Sequence, residues 1–234
     1  MPDTFVPALR GISSMATRLV LADLIAAYTA RPGAPAVVME SVGGVDAARR
    51  VMADEPLDVV VLASDAIDKL EAAGKVLPGS RVDLVHSGVA MAVRAGAPLP
   101  RVDTEAAVRE AVLAARNLSY STGPSGVALA RLFERWGLTE TLRERIVVPP
   151  PGVPVGTLVA RGEVELGFQQ LSELLGVAGI AIVGPLPPAI QIITTFSAGI
   201  PVHTDKADAV RAMLAHMTAP AAAEAKRRQG MEPA

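Results

Sequence analysis

Apolar residues in this chain come in short blocks that switch between two spacings. Val59-Val60-Val61-Leu62-Ala63 is a continuous apolar run of strand length, as a strand covered on both faces requires. Ahead of it, Leu19, Val20, Leu24 and Ala27 recur at helical spacing. They predict a helix over 15–30, stopped by Arg31-Pro32-Gly33. The same switching predicts strands over 5–12 and 37–40 and helices over 46–52 and 66–73, the last capped by Asp65 and ended by Gly74. Residues 82–93 read as one long crossing segment interrupted by His86-Ser87-Gly88. Asp103-Thr104-Glu105-Ala106 is a capped helix start leading to residue 115. A strand at Leu118 then breaks into a turn that opens a helix ending near Trp136-Gly137. Pro149-Pro150-Pro151-Gly152 reads as a rigid extended loop, followed by a helix over 155–160 and strands over 164–168 and 190–196. Two helices close the chain.

Strands alternating with helices predict an α/β fold with mainly parallel sheets. Two joints, near 80–92 and at Gly184-Pro185-Leu186-Pro187-Pro188 through 192, predict that the chain crosses twice between two lobes. Lobe 1 is then discontinuous, 1–84 plus 192–234, and lobe 2 is 85–191. A cleft between such lobes is the expected place for a small ligand.

Composition narrows the partner. A formal net charge of −2 lacks the basic surface that nucleic acid requires, and one tryptophan, two tyrosines and four phenylalanines make few stacking platforms. The absence of cysteine removes disulfides, thiolate metal sites and a cysteine nucleophile. The three histidines are scattered without clustered carboxylates, so no metal and no cofactor is expected. No apolar stretch is long enough to insert in a membrane. The first ten residues carry no secretory signal pattern. That predicts a cytoplasmic protein as written, or a periplasmic one if this is a processed chain.

The chemistry concentrates where strands meet helices. Ser119-Tyr120-Ser121-Thr122-Gly123-Pro124-Ser125-Gly126 sets hydroxyls and glycines ahead of a helix, whose first N–H groups lack partners and carry the positive end of its dipole. A small anion fits such a place, and ordinary N-capping explains the same residues equally well. No phosphate loop is present, since Val127 stands where the lysine is needed. Ser13-Ser14 and Gly43-Gly44 repeat the layout less fully. Gln169, Gln191 and Thr194 are further neutral donors suited to a desolvated anion, with exposed strand polarity as the plain alternative. His86, on the first joint, is the one histidine placed near the expected cleft for proton transfer, with a satisfied structural histidine as the favoured reading.

Several of these segments together resemble a family. Ser13-Ser14-Met15, Asp58-Val59-Val60-Val61-Leu62-Ala63, Leu70 through Val76, the Ser119–Gly126 turn, Ala160 through Gly167 and Gly230-Met231-Glu232-Pro233 are similar, in that order, to type II solute-binding proteins of the molybdate-binding kind. The resemblance implies two α/β lobes joined by two crossing strands, with an anion bound by Ser13, Ser14, Gly44, Thr122, Ser125 and Gly126 and, less directly, by Gln169, Gln191 and Thr194. Gly43-Gly44-Val45 stands where that family uses a hydroxyl, and Phe168-Gln169-Gln170 where it tends to carry a tyrosine. The segment from Gly184 to Ile200 instead resembles a divergent branch that includes aconitate isomerase-like proteins. The expected ligand is therefore a carboxylate rather than a molybdate-type oxyanion. Two functions follow as expectations: a binding protein that serves an ABC permease only if exported, or an isomerase of an unsaturated polycarboxylate with His86 as its proton-transfer group.

Overall fold

A computed structural model describes residues 7–150 and 152–234. In chain order it contains β1 (Leu9–Ser14), α1 (Arg18–Thr29), β2 (Val37–Val42), α2 (Gly44–Met52), β3 (Val59–Ala63), α3 (Ser64–Ala72) and β4 (Val82–Arg94). There follow α4 (Glu105–Ala114), β5 (Leu118–Tyr120), α5 (Pro124–Arg135), α6 (Thr139–Leu142), α7 (Val155–Arg161), β6 (Leu166–Gln170), α8 (Leu171–Leu174) and β7 (Ile180–Pro185). The chain ends with β8 (Ile193–Gly199), α9 (Ala207–Thr218), α10 (Ala223–Arg228) and β9 (Met231–Pro233). Residues 5 and 6 of the predicted first strand, and Pro151 of the predicted extended loop, lie outside the described residues.

The chain divides into unit 1, Met1–His86 with Thr195–Ala234, and unit 2, Ser87–Thr194. The crossings thus fall at 86/87 and 194/195, inside the strands β4 and β8, where the sequence reading set them at 84/85 and 191/192. His86-Ser87-Gly88 does not interrupt β4, which runs unbroken for 13 residues.

In unit 1, β1 pairs in parallel with β2 on one side and β3 on the other, and β3 pairs antiparallel with β8. The apolar run of β3 is buried throughout because its side chains serve two cores in turn. Val59, Val61 and Ala63 join Leu9, Leu21, Leu24, Met213 and Leu214 on one face. Val60 and Leu62 join Ile12, Ala47, Val51, Ile67 and Leu70 on the other. In unit 2, β5 and β6 are parallel, and β4 pairs antiparallel with both β6 and β7. β4 alternates likewise: Val89, Met91 and Val93 pack with Val108, Leu129, Phe133 and Phe168, while Ala90 and Ala92 face Leu174. Each sheet is mixed, its parallel strands joined by an antiparallel crossing strand.

Several local readings are corrected. Asp65 is no cap, because α3 starts at Ser64, two residues earlier, behind Ala63, and Asp65 in its first turn accepts from Lys69 Nζ at 3.1 Å. A 3-10 turn over Met15–Thr17 precedes α1, with Thr17 Oγ1 donating to the Ser14 carbonyl at 3.0 Å. β6 runs two residues past its predicted end, so Gln169 and Gln170 are buried strand residues. A 3-10 turn at Pro188–Ile190 delays β8 to Ile193. β7 and β9 are additional strands. Arg50 on α2 forks between Glu40 and Glu55 with four contacts of 2.6 to 2.8 Å.

Candidate functional site

In unit 1 the three parallel strands end at one edge and each feeds a helix start, the arrangement at which open α/β sheets collect ligands. Ser13 and Ser14 close β1, and adjacent strand residues point to opposite faces. Ser13 is fully buried, its Oγ 2.8 Å from the Oγ of Ser41, its register partner on β2. Ser14 is only 7% exposed, and its Oγ has no hydrogen-bond partner among the described residues. An unmet buried hydroxyl costs about 1–3 kcal/mol, so its presence calls for a reason. The start of α2 lies against it: a Cβ on Gly44 would stand 3.7 Å from the Ser14 Cβ. Gly43 and Ala63, at the N-caps of α2 and α3, provide no side-chain cap, which leaves the first N–H groups of both helices for an outside acceptor.

In unit 2 the turn after β5 brings Thr122, Ser125 and Gly126 together. Gly123 is the N-cap of α5 and has no side chain to cap it. The Gly126 and Val127 N–H groups return to the Gly123 carbonyl at 3.0 and 3.1 Å. Ser125 Oγ lies 2.9 Å from Ser121 Oγ, so two hydroxyls share one hydrogen bond and one O–H remains to donate elsewhere. Ser121 was missing from the predicted site residues. Thr122 is exposed at the tip. Gly126 has a steric reason: a Cβ there would fall 1.6 Å from the Ser121 carbonyl oxygen.

The remaining predicted donors are engaged within their own unit. Gln191 Oε1 accepts from the N–H groups of Val89 at 3.0 Å and Ile192 at 2.8 Å, and its Nε2 donates to the Leu186 carbonyl at 3.2 Å. Its amide braces the proline-rich joint against β4. Gln170, unnamed among the predicted site residues, holds Thr194. The surrounding donors and acceptors orient its amide so that nitrogen donates to Ser87 Oγ at 2.8 Å and oxygen accepts from Thr194 Oγ1 at 2.9 Å. His86, in unit 1, has its Nδ1 3.0 Å from Thr195 Oγ1.

Gln169 leads to a group that sequence reading missed. Its Oε1 accepts from the Gly156 N–H at 3.1 Å, at the start of α7. Glu173, half-buried on α8, follows four residues beyond it. Burial pushes Glu173 up to about 7, against an opposing influence of the Gln169 side chain. Its signal in the sequence was only a lone acid between leucines. Among the described residues no group of three or more His, Asp or Glu side chains is placed to hold a metal ion, and no helix is long and apolar enough to cross a membrane.

These edges can be set beside known proteins. Residues 9–232 match the family described as bacterial extracellular solute-binding protein. Over 187 residues the chain is 42% identical to a protein named aconitate isomerase from Pseudomonas sp, covering 79% of this chain and 70% of that protein. The periplasmic molybdate-binding protein of Azotobacter vinelandii superposes with a TM-score of 0.78 at 23% identity, over 95% of this chain and 98% of that one. The sulfate-binding protein SubI of Mycobacterium tuberculosis H37Rv superposes with a TM-score of 0.81 at 17% identity, over 97% and 87%. A match across nearly the whole chain, with strands ending in uncapped helix starts, makes this protein a member of the bacterial extracellular solute-binding family with the type II periplasmic-binding-protein fold.

Proposed function

We propose that this protein binds a small organic anion carrying two or three carboxylates, in preference to a tetrahedral oxyanion. The observation that carries the reading is the Ser14 hydroxyl, buried and without a hydrogen-bond partner among the described residues, beside the uncapped start of α2. Neutral hydroxyls and N–H groups stabilise an anion without a buried countercharge, which suits a ligand that must also leave. The Ser121–Ser125 pair at the start of α5 is the corresponding donor set of unit 2. The test is thermal unfolding with citrate, cis-aconitate, trans-aconitate, sulfate and molybdate. A ligand at a hundredfold its Kd adds about 2.7 kcal/mol, which for a chain of this size raises Tm by about 5–10 °C. Tricarboxylates are expected to give that shift. A larger shift with sulfate or molybdate, or none with any anion, overturns the reading.

A second reading is turnover, favoured by the 42% identity to a protein named aconitate isomerase. In it the bound unsaturated polycarboxylate exchanges a proton between two allylic carbons, which moves its double bond. Proton NMR of cis- or trans-aconitate incubated with the protein follows the interconversion directly. A permease partner belongs only to the binding reading, and only if the protein is found outside the cytoplasm by cell fractionation.

A further inference from the structure

We propose that a groove of unit 2, between one face of α5 and the turn that leads into β8, binds an amphipathic monocarboxylate: one carboxylate carried on a short aliphatic chain. The groove encloses about 360 Å³, and the residues that line it fall between 128 and 192, all within unit 2. Sites that hold small ligands run from about 300 to 1,000 Å³. The α5 wall is Ala128, Arg131, Leu132 and Arg135, whose helical spacing puts them on one face. Ile190 and Ile192 stand on the other wall. That wall is fixed in place, because Gln191 between them bonds the N–H groups of Val89 and Ile192 and the Leu186 carbonyl. Leu132 and Ile190 are buried, which makes the floor apolar.

The charges of the groove are out of balance. Arg131 and Arg135 are like charges four residues apart on one helix, an arrangement that repels. Glu105 offsets Arg135 at 3.2 Å, and the same Glu105 oxygen accepts from Trp136 Nε1 at 2.6 Å. Arg131 is exposed and has no ion pair or hydrogen bond among the described residues. A carboxylate at the rim supplies the missing countercharge and accepts from a guanidinium fork. The apolar floor then takes a hydrocarbon chain and would leave a second carboxylate without a countercharge. This chemistry differs from that of the α5 start, where neutral hydroxyls gather. Arg131 lies six residues beyond Ser125, about 9 Å along the helix axis. A concave site of this volume suits a small molecule better than the flat face of a protein.

The test is calorimetric titration of the whole chain with octanoate, and with acetate and 1-octanol as probes that carry only the charge or only the chain. Octanoate is expected to bind one to one, and each control at least about tenfold more weakly. Arg131→Gln is expected to weaken octanoate by about tenfold or more, with the Tm of the free protein unchanged because Arg131 has no partner to lose. Octanoate is also expected to bind equally well in excess cis-aconitate. Absence of saturable octanoate binding, or an Arg131→Gln protein that binds it as wild type does, overturns the proposal. Displacement by cis-aconitate overturns it too, by placing octanoate in the anion site. An aspartate–leucine peptide that binds more tightly than octanoate overturns it in favour of a protein partner. Failure of every tricarboxylate to bind sinks the reading of the previous subsection and leaves this one standing.

Discussion

Ser13 and Ser14 are the same residue type at adjacent positions, and the fold gives them opposite duties. Ser13 is satisfied by Ser41 across the β1–β2 pair, whereas Ser14 has no partner at all among the described residues. Ser13→Ala is therefore expected to cost about 1 kcal/mol of unfolding free energy in urea, since it strips a buried hydrogen bond. Ser14→Ala is expected to leave that free energy unchanged or slightly raised, because an unmet hydroxyl is removed. Its effect falls on the ligand instead: losing a hydrogen bond to a carboxylate, about 1.5–3 kcal/mol, weakens calorimetrically measured tricarboxylate affinity by about 10- to 100-fold. Both serines stood out in the sequence as hydroxyls at a strand end. Which of them was spent on the fold was not legible, because that depends on Ser41, 28 residues away in sequence and opposite only once β1 and β2 pair.

At the scale of elements, the β5–α5 junction depends on a glycine that no polar contact explains. A side chain at 126 meets the Ser121 carbonyl, so Gly126→Ala must move either the turn or the first turn of α5. The expected cost is about 3 kcal/mol or more, read as a lowered urea midpoint, together with loss of the tricarboxylate-induced Tm shift. This junction was the clearest element in the sequence, since strand, turn and helix chemistry lie in consecutive residues. Strands set by distant pairing were harder to read. β7 carries Gly184 and Pro185 and satisfies a strand only because β4 lies alongside it, and β9 is three residues long. Glu173 was illegible for the same reason. Its proton affinity comes from what buries it and from Gln169, and neither shows in the stretch Leu171-Ser172-Glu173-Leu174.

At the scale of the molecule, Asp58 ties the early and late segments of unit 1 together. Its carboxylate accepts from the Arg10 N–H at 2.8 Å, Thr204 Oγ1 at 2.6 Å and Lys206 Nζ at 3.0 Å. Burial pushes its pKa up, and those donors outweigh burial and hold it below the usual carboxylate value. A depressed carboxylate pKa means the unfolded chain binds the proton more readily. The stability it contributes is therefore present above about pH 4 and lost as pH falls below that. Asp58→Asn is expected to cost about 2–3 kcal/mol at pH 7 and much less near pH 3, measured by urea unfolding at both. The division of the chain also sets an order in time. Unit 2 is one continuous stretch, complete once residue 194 has been made, while unit 1 needs residues 195–234 to supply β8, α9 and the Asp58 partners Thr204 and Lys206. A growing chain thus holds β1, β2 and β3 without their last strand while the middle of the protein is already able to fold. Of the apolar run Val59–Ala63, the face of Val60 and Leu62 is covered by segments already made, whereas the face of Val59, Val61 and Ala63, and the edge that pairs with β8, wait for the end of the chain.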